Sequence, residues 1–206
     1  MNMNFLFAVP SLEDMIRLLR AWRFWVLGAL VGALIAATVY YVVPPPYRAK
    51  ATVNVDFNLE QAWPKDTDRQ QFYYLERESR KMEELAWSDE IMKKLSSQFA
   101  VSVEDLRGNK LQLSQPAEAG WHFYADDQDP KAAASLASAW AEAFVSKVQA
   151  EVASGNINQF VRLEATQSKN LPIARHVPLS AYLLIGSIGF LTLAVAAILF
   201  IKPKNK

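Results

Sequence analysis

Residues 40–55 read YYVVPPPYRAKATVNV. An uncharged apolar run gives way to Pro44, Pro45 and Pro46, and the chain then alternates. Tyr47, Ala49, Ala51, Val53, Val55 and Phe57 fall on one side of an extended backbone; Arg48, Lys50, Thr52, Asn54, Asp56 and Asn58 fall on the other. A period of two sustained over residues 47–58 predicts a strand with one covered face. Proline lacks an amide donor and fixes φ, so the triplet ends any preceding helix and favours stiff polyproline II. The stretch predicts a rigid junction between an apolar segment and a sheet.

Upstream, residues 24–43 (FWVLGALVGALIAATVYYVV) carry no charge, and as a helix would extend about 30 Å, the thickness of a bilayer's hydrocarbon core. Trp22, Trp25, Tyr40 and Tyr41 sit at the two ends, where aromatic rings anchor at a membrane surface. The run is too long for the apolar region of a cleaved signal peptide, and no clean A-x-A site follows it. A second uncharged run, LSAYLLIGSIGFLTLAVAAILFI, covers residues 179–201. Arg17, Arg20 and Arg23 precede the first run, and Lys202, Lys204 and Lys206 follow the second. Short basic flanks stay on the cytoplasmic side, while a long intervening domain crosses regardless of its charge. The expected organisation is a cytoplasmic amphipathic segment at 1–23, a span at 24–43, an extracytoplasmic domain at 44–177, a span at 178–201 and a cytoplasmic tail at 202–206.

Ser11 and Asp14 resemble a capping box opening SLEDMIRLLRAW, with Met15, Leu18, Leu19 and Trp22 at helical spacing. Two readings stand: a short helix on the inner leaflet, or a helical prelude continuous with the span. Between the spans, helices are expected over 66–87, 88–99 with Ser88 as cap, and 102–108. Short strands are expected at 110–114 and 121–125. Asp129 and Pro130 then start an alanine-rich helix, and a last strand at 159–165 leads back through Pro172 and Pro178. The class expected is an α/β (α+β) extracytoplasmic domain inserted between two transmembrane helices, with Pro44, Pro45, Pro46, Pro172 and Pro178 at the junctions.

The net charge of +1 gives no footprint for nucleic acid, and the absence of cysteine excludes disulfides and thiolate sites. Asp126, Asp127 and Asp129 could in principle hold a divalent ion and a diphosphate, but acids before a Pro-started helix read as a loop and cap. Glu83 and Glu84 read as a solvated helix face, and His122, within WHFY, as a packed or edge histidine. His176 beside Arg175 reads as a headgroup contact. No glycine belongs to a phosphate loop. We expect no catalytic, cofactor or metal residues.

Gly28 and Gly32 form a G-x-x-x-G in the first span, and Gly186 and Gly189 put small residues in the second, so all four are candidates for helix packing. Whether the partner helix belongs to the same chain stays open. On the alanine-rich helix, Leu136, Trp140 and Phe144 lie on the apolar stripe and are the candidate packing residues of an oligomer.

In this order, SLEDMIRLLRAWRFW, the first span, PPPYRAKATVNV, WSDEIMKKLSSQF, WHFYADDQDPKAAASLASAWAEAF and a proline-bearing return to a second span resemble the polysaccharide co-polymerase family, the Wzz-type chain-length determinants. The resemblance covers nearly the whole chain and rests on the ordered set. It implies a bacterial inner-membrane protein, assembled with itself into a ring beside a membrane-embedded polymerase. Such a protein would set chain length or export of a lipid-linked O-antigen, capsule or exopolysaccharide, with the growing polymer itself among its candidate partners, without catalysis. Only residues 147–158 stand where family members often carry a long helical extension, so the resemblance implies a minimal version. The alternatives are an adaptor activating a cytoplasmic tyrosine kinase of capsule synthesis and an extracytoplasmic ligand-binding sensor; a glycan-active envelope enzyme is the more distant rival.

Overall fold

A computed structural model describes residues 12–57, 68–115, 120–157, 161–166 and 173–200. Ser11, Pro172 and residues 201–206 lie outside the described residues. The chain mixes helix and sheet and divides into two compact units, Met1–Pro45 with Val177–Lys206, and Pro46–His176.

The described residues of the first unit form three helices, α1 (Leu12–Arg20), α2 (Trp22–Val42) and α6 (Leu179–Phe200). Both α2 and α6 are long and apolar enough to cross a membrane. They pack antiparallel, while Leu27, Leu30, Leu34, Leu184 and Leu193 point outward and are more than half exposed. The second helix begins two residues earlier than expected, at Trp22, and ends just before the prolines at Val42. Pro44–Pro46 are in neither helix nor strand.

The second unit is built on β1 (Tyr47–Phe57), the strand that the alternation predicts. It continues with α3 (Asp68–Ala86), α4 (Asp89–Phe99), β2 (Leu111–Ser114), β3 (Gly120–Asp127), α5 (Pro130–Ala153), β4 (Val161–Thr166) and β5 (Ile173–Arg175). All strand pairs are antiparallel, in the order β2-β3-β1-β4. The fifth strand shares one side of β1 with β4: β4 pairs with Thr52–Phe57 and β5 with Tyr47–Ala49. The short β5 is a correction, since the sequence reads as a plain return to the membrane there.

One face of the sheet is apolar. Ala49, Ala51, Val53, Val55, Trp121, Phe123 and Ala125 are buried where α5 crosses β1 and β3, and α3 and α4 pack on α5. The rings of Trp140 and Phe123 meet edge-on at 4.9 Å, and Trp121 stacks on Phe144 at 5.5 Å. The start of α5 follows its sequence signal: the Lys131 N–H donates to Asp129 Oδ1 at 3.0 Å, and Pro130 takes the first position, where no donor is needed. The start of α4 departs from its signal. Ser88 has the extended backbone of a cap, but its hydroxyl is buried and makes no capping bond. Ser102 does cap, accepting the Asp105 N–H at 3.1 Å; the short helix Val103–Asp105 then runs into a wider turn, Leu106–Lys110, beyond Gly108.

Candidate functional site

Two arrangements carry the residues that the sequence singles out. The first is the seam between α2 and α6. A Cβ placed on Gly32 would lie 2.2 Å from the Gly186 carbonyl oxygen, and one on Gly28 would lie 2.9 Å from the Ala194 Cβ. One on Gly186 would meet the Ala36 Cβ at 2.5 Å. Gly28, Gly32 and Ala36 therefore face Ala194, Phe190 and Gly186 in antiparallel order, each set at a spacing of four. Farther along the pair, the Tyr40 and Tyr182 rings meet edge-on at 5.3 Å. The G-x-x-x-G partner is a helix of the same chain. Small residues let the two backbones approach closely, where packing rather than the hydrophobic effect holds helices together in lipid. Gly189 lies off this seam: nothing lies within 4 Å of a Cβ there. The contact line runs through positions 186, 190 and 194, and Gly189, one residue before 190, is turned about 100° from Phe190 around the helix.

The second arrangement joins the first and last residues of the Pro46–His176 unit. Tyr47 pairs with Arg175 and Ala49 with Ile173, and the His176 N–H donates to the Pro46 carbonyl at 2.9 Å. The Arg175 guanidinium lies 4.0 Å from the Tyr47 ring centroid, a cation–π contact. Arg48 donates from Nε and Nη2 to the two oxygens of Asp126, both at 2.7 Å, and also covers the Tyr124 ring. Asp126 Oδ2 lies 3.0 Å from His176 Nδ1. One carboxylate on the central strand β3 thus binds both the opening strand and the residue after the closing one. Planar two-point Arg–carboxylate contact is directional as well as strong, so it fixes register there. His176, expected at a lipid headgroup, is engaged with Asp126.

The neighbouring acids also have structural partners. Asp127 pairs with Lys110 and accepts the Asp129 N–H at 3.0 Å. Burial alone would raise the Asp127 carboxyl; the Lys110 hydrogen bond and charge, with the backbone N–H groups of Asp129 and Gln128, outweigh it and hold the group below its ordinary value. Burial, and then the positive charge of Lys50, push His122 below its ordinary value, and its Nδ1 lies 3.1 Å from Thr52 Oγ1. Glu83 and Glu84 are exposed on α3. Among the described residues no cluster of His, Cys, Asp and Glu is arranged to hold a metal ion. A shallow cleft between α4 and α5 is bridged by the Lys147–Glu90 ion pair at 2.6 Å.

Leu136, Trp140 and Phe144 are a further correction. Each is at most 2% exposed and packs inside its own chain, so none of the three is available to a second copy. The Trp140 indole N–H donates to the Ala86 carbonyl at 2.9 Å, one of the carbonyls left without a helical partner at the end of α3. The sequence shows no sign of the Arg48–Asp126–His176 network. The alternation places Arg48 on the polar face, but only the register of β1 against β3 brings it to Asp126. No protein-family model matches the chain, and no curated protein matches it.

Proposed function

We propose that this protein is a non-catalytic polysaccharide co-polymerase of the bacterial inner membrane. In this reading α2 and α6 are a transmembrane hairpin with both termini cytoplasmic, and the Pro46–His176 unit lies on the outer side. The protein works as a homo-oligomeric ring beside a membrane-embedded polymerase and sets chain length or export of a lipid-linked surface polysaccharide. The observation that carries the reading is the order of parts: apolar helix, proline exit, long strand, helices, alanine-rich helix, and a closing strand that pairs with the first before the second apolar helix. Three further features support it. The two apolar helices turn leucines outward while packing through glycines, as helices in lipid do. Basic residues flank the outer ends of both. The candidate acids are engaged in ion pairs and a helix cap rather than converging on an open cleft.

The test is removal of the gene in the organism that carries it, with the surface polysaccharide resolved by length on a gel. Polymer that is still made but loses its preferred length, regained when the gene is returned, supports the proposal. An unchanged length distribution refutes it.

A further inference from the structure

Ala21 separates α1 from α2. Its backbone leaves the helical path at φ −88° and ψ 16°, and its N–H is shared between the Arg17 and Leu18 carbonyls at 3.0 and 3.1 Å. The Trp25 indole N–H donates back to the same Leu18 carbonyl at 3.2 Å, which holds the break in place. The first helix is therefore a separate element rather than the lower turns of the span, and it touches both α2 and α6.

Leu12, Met15, Ile16 and Leu19 fall at i, i+3, i+4 and i+7 of α1, one stripe of a helix. They are 76%, 56%, 44% and 70% exposed, and no described element covers them. The other side carries Glu13, Arg17 and Arg20, and Arg23 follows the break.

We propose that α1 lies in the headgroup layer of the bilayer that α2 crosses, with this stripe sunk among the acyl chains. The inference rests on the transmembrane reading of α2 and α6. The occupant is a lipid surface because a single residue, Ala21, joins α1 to a helix apolar enough to span. Trp22 and Trp25, rings that favour the interface, both follow the break at the start of α2, and Trp22 is 52% exposed. Residues 12–23 carry three arginines against two acids. That net charge of +1 gives anionic lipid about a fivefold advantage at most, so the apolar stripe dominates docking.

The chain has no cysteine, so single cysteines can be spin-labelled in the full-length protein in nanodiscs. Met15→Cys, Ile16→Cys and Leu19→Cys probe the stripe, Glu13→Cys and Arg20→Cys the polar side, and Leu30→Cys the span. We expect labels on the stripe to favour collision with oxygen over a nickel chelate at least threefold more than labels on the polar side. This should hold in neutral and in anionic lipid, with the two differing by no more than about fivefold. Stripe labels open to nickel while the Leu30 label stays in lipid would overturn the docking and leave the hairpin standing. Stripe labels shielded from both probes would mean a protein partner, which also overturns it. Nickel access at Leu30 would overturn the transmembrane reading, and the inference with it.

Discussion

Replacing Trp140 with Phe tests whether α5 faces its own core or a neighbouring copy. The substitution removes the donor that, among the described residues, reaches the buried Ala86 carbonyl, while keeping an aromatic ring against Phe123. Leaving a buried acceptor unsatisfied costs about 1–3 kcal/mol. The smaller ring leaves a cavity of roughly 40 Å³, which at about 24 cal/mol per Å³ adds about 1 kcal/mol. The sum, about 2–4 kcal/mol, is a large part of the stability of an ordinary domain. For a unit of this size it corresponds to a fall in Tm of about 6–15 °C. The assay is a thermal melt of the purified full-length chain in detergent, followed by near-ultraviolet circular dichroism, with molar mass from light scattering at two protein concentrations. We expect a lower Tm and an unchanged molar mass. A Tm within about 1 °C of the wild type, together with a changed oligomeric mass, would refute the assignment of Trp140 to the core.

Two further outcomes follow from the geometry. Gly32→Leu should loosen the α2–α6 pair because its Cβ alone would overlap the Gly186 carbonyl, whereas Gly189→Leu should be tolerated. Cross-linking between cysteines introduced on the two helices reads the difference, and equal effects from both would refute the seam. His122 should make stability depend on pH: its folded pKa lies below 6.5, so as pH falls through 6.5 the unfolded chain takes the proton first and stability drops. In His122→Gln that loss should disappear, so the Tm difference between variant and wild type should shift in favour of the variant below pH 6.5; a difference that is constant with pH would show that His122 does not contribute it.

What the sequence reveals and what it hides differ by the range of the interaction. β1 is legible because Ala49 to Val55 alternate locally, and α2 and α6 because length and apolarity are local too. The start of α5 is legible from Asp129 and Pro130, where the cap and its target are neighbours. By contrast β5 is three residues long and owes its strand character to a partner more than a hundred residues earlier, so no local pattern marks it. The partner of Asp126 depends on the register of β1 against β3, which alternation does not determine. A stripe such as Leu136, Trp140 and Phe144 reports that a face is covered but not by what. Gly186 and Gly189 look equivalent in sequence and part only when helix rotation is known.

The pairing of β1 with β5 makes the Pro46–His176 unit a cassette. Its first and last strands are ladder neighbours, with paired Cα atoms about 5 Å apart, so the unit enters and leaves the rest of the chain through a single narrow gate. A short linker could join those ends and the chain be opened at a surface loop instead, giving a circular permutant with the same core. Conversely, the unit could be cut out and the two apolar helices joined by a tight turn. The same gate decides how the unit responds to force. Antiparallel hydrogen bonds run across the strands, so tension that separates the two ends loads them one after another, beginning with the bond between His176 and Pro46. The gate would peel open residue by residue while Trp140 and its neighbours stayed packed.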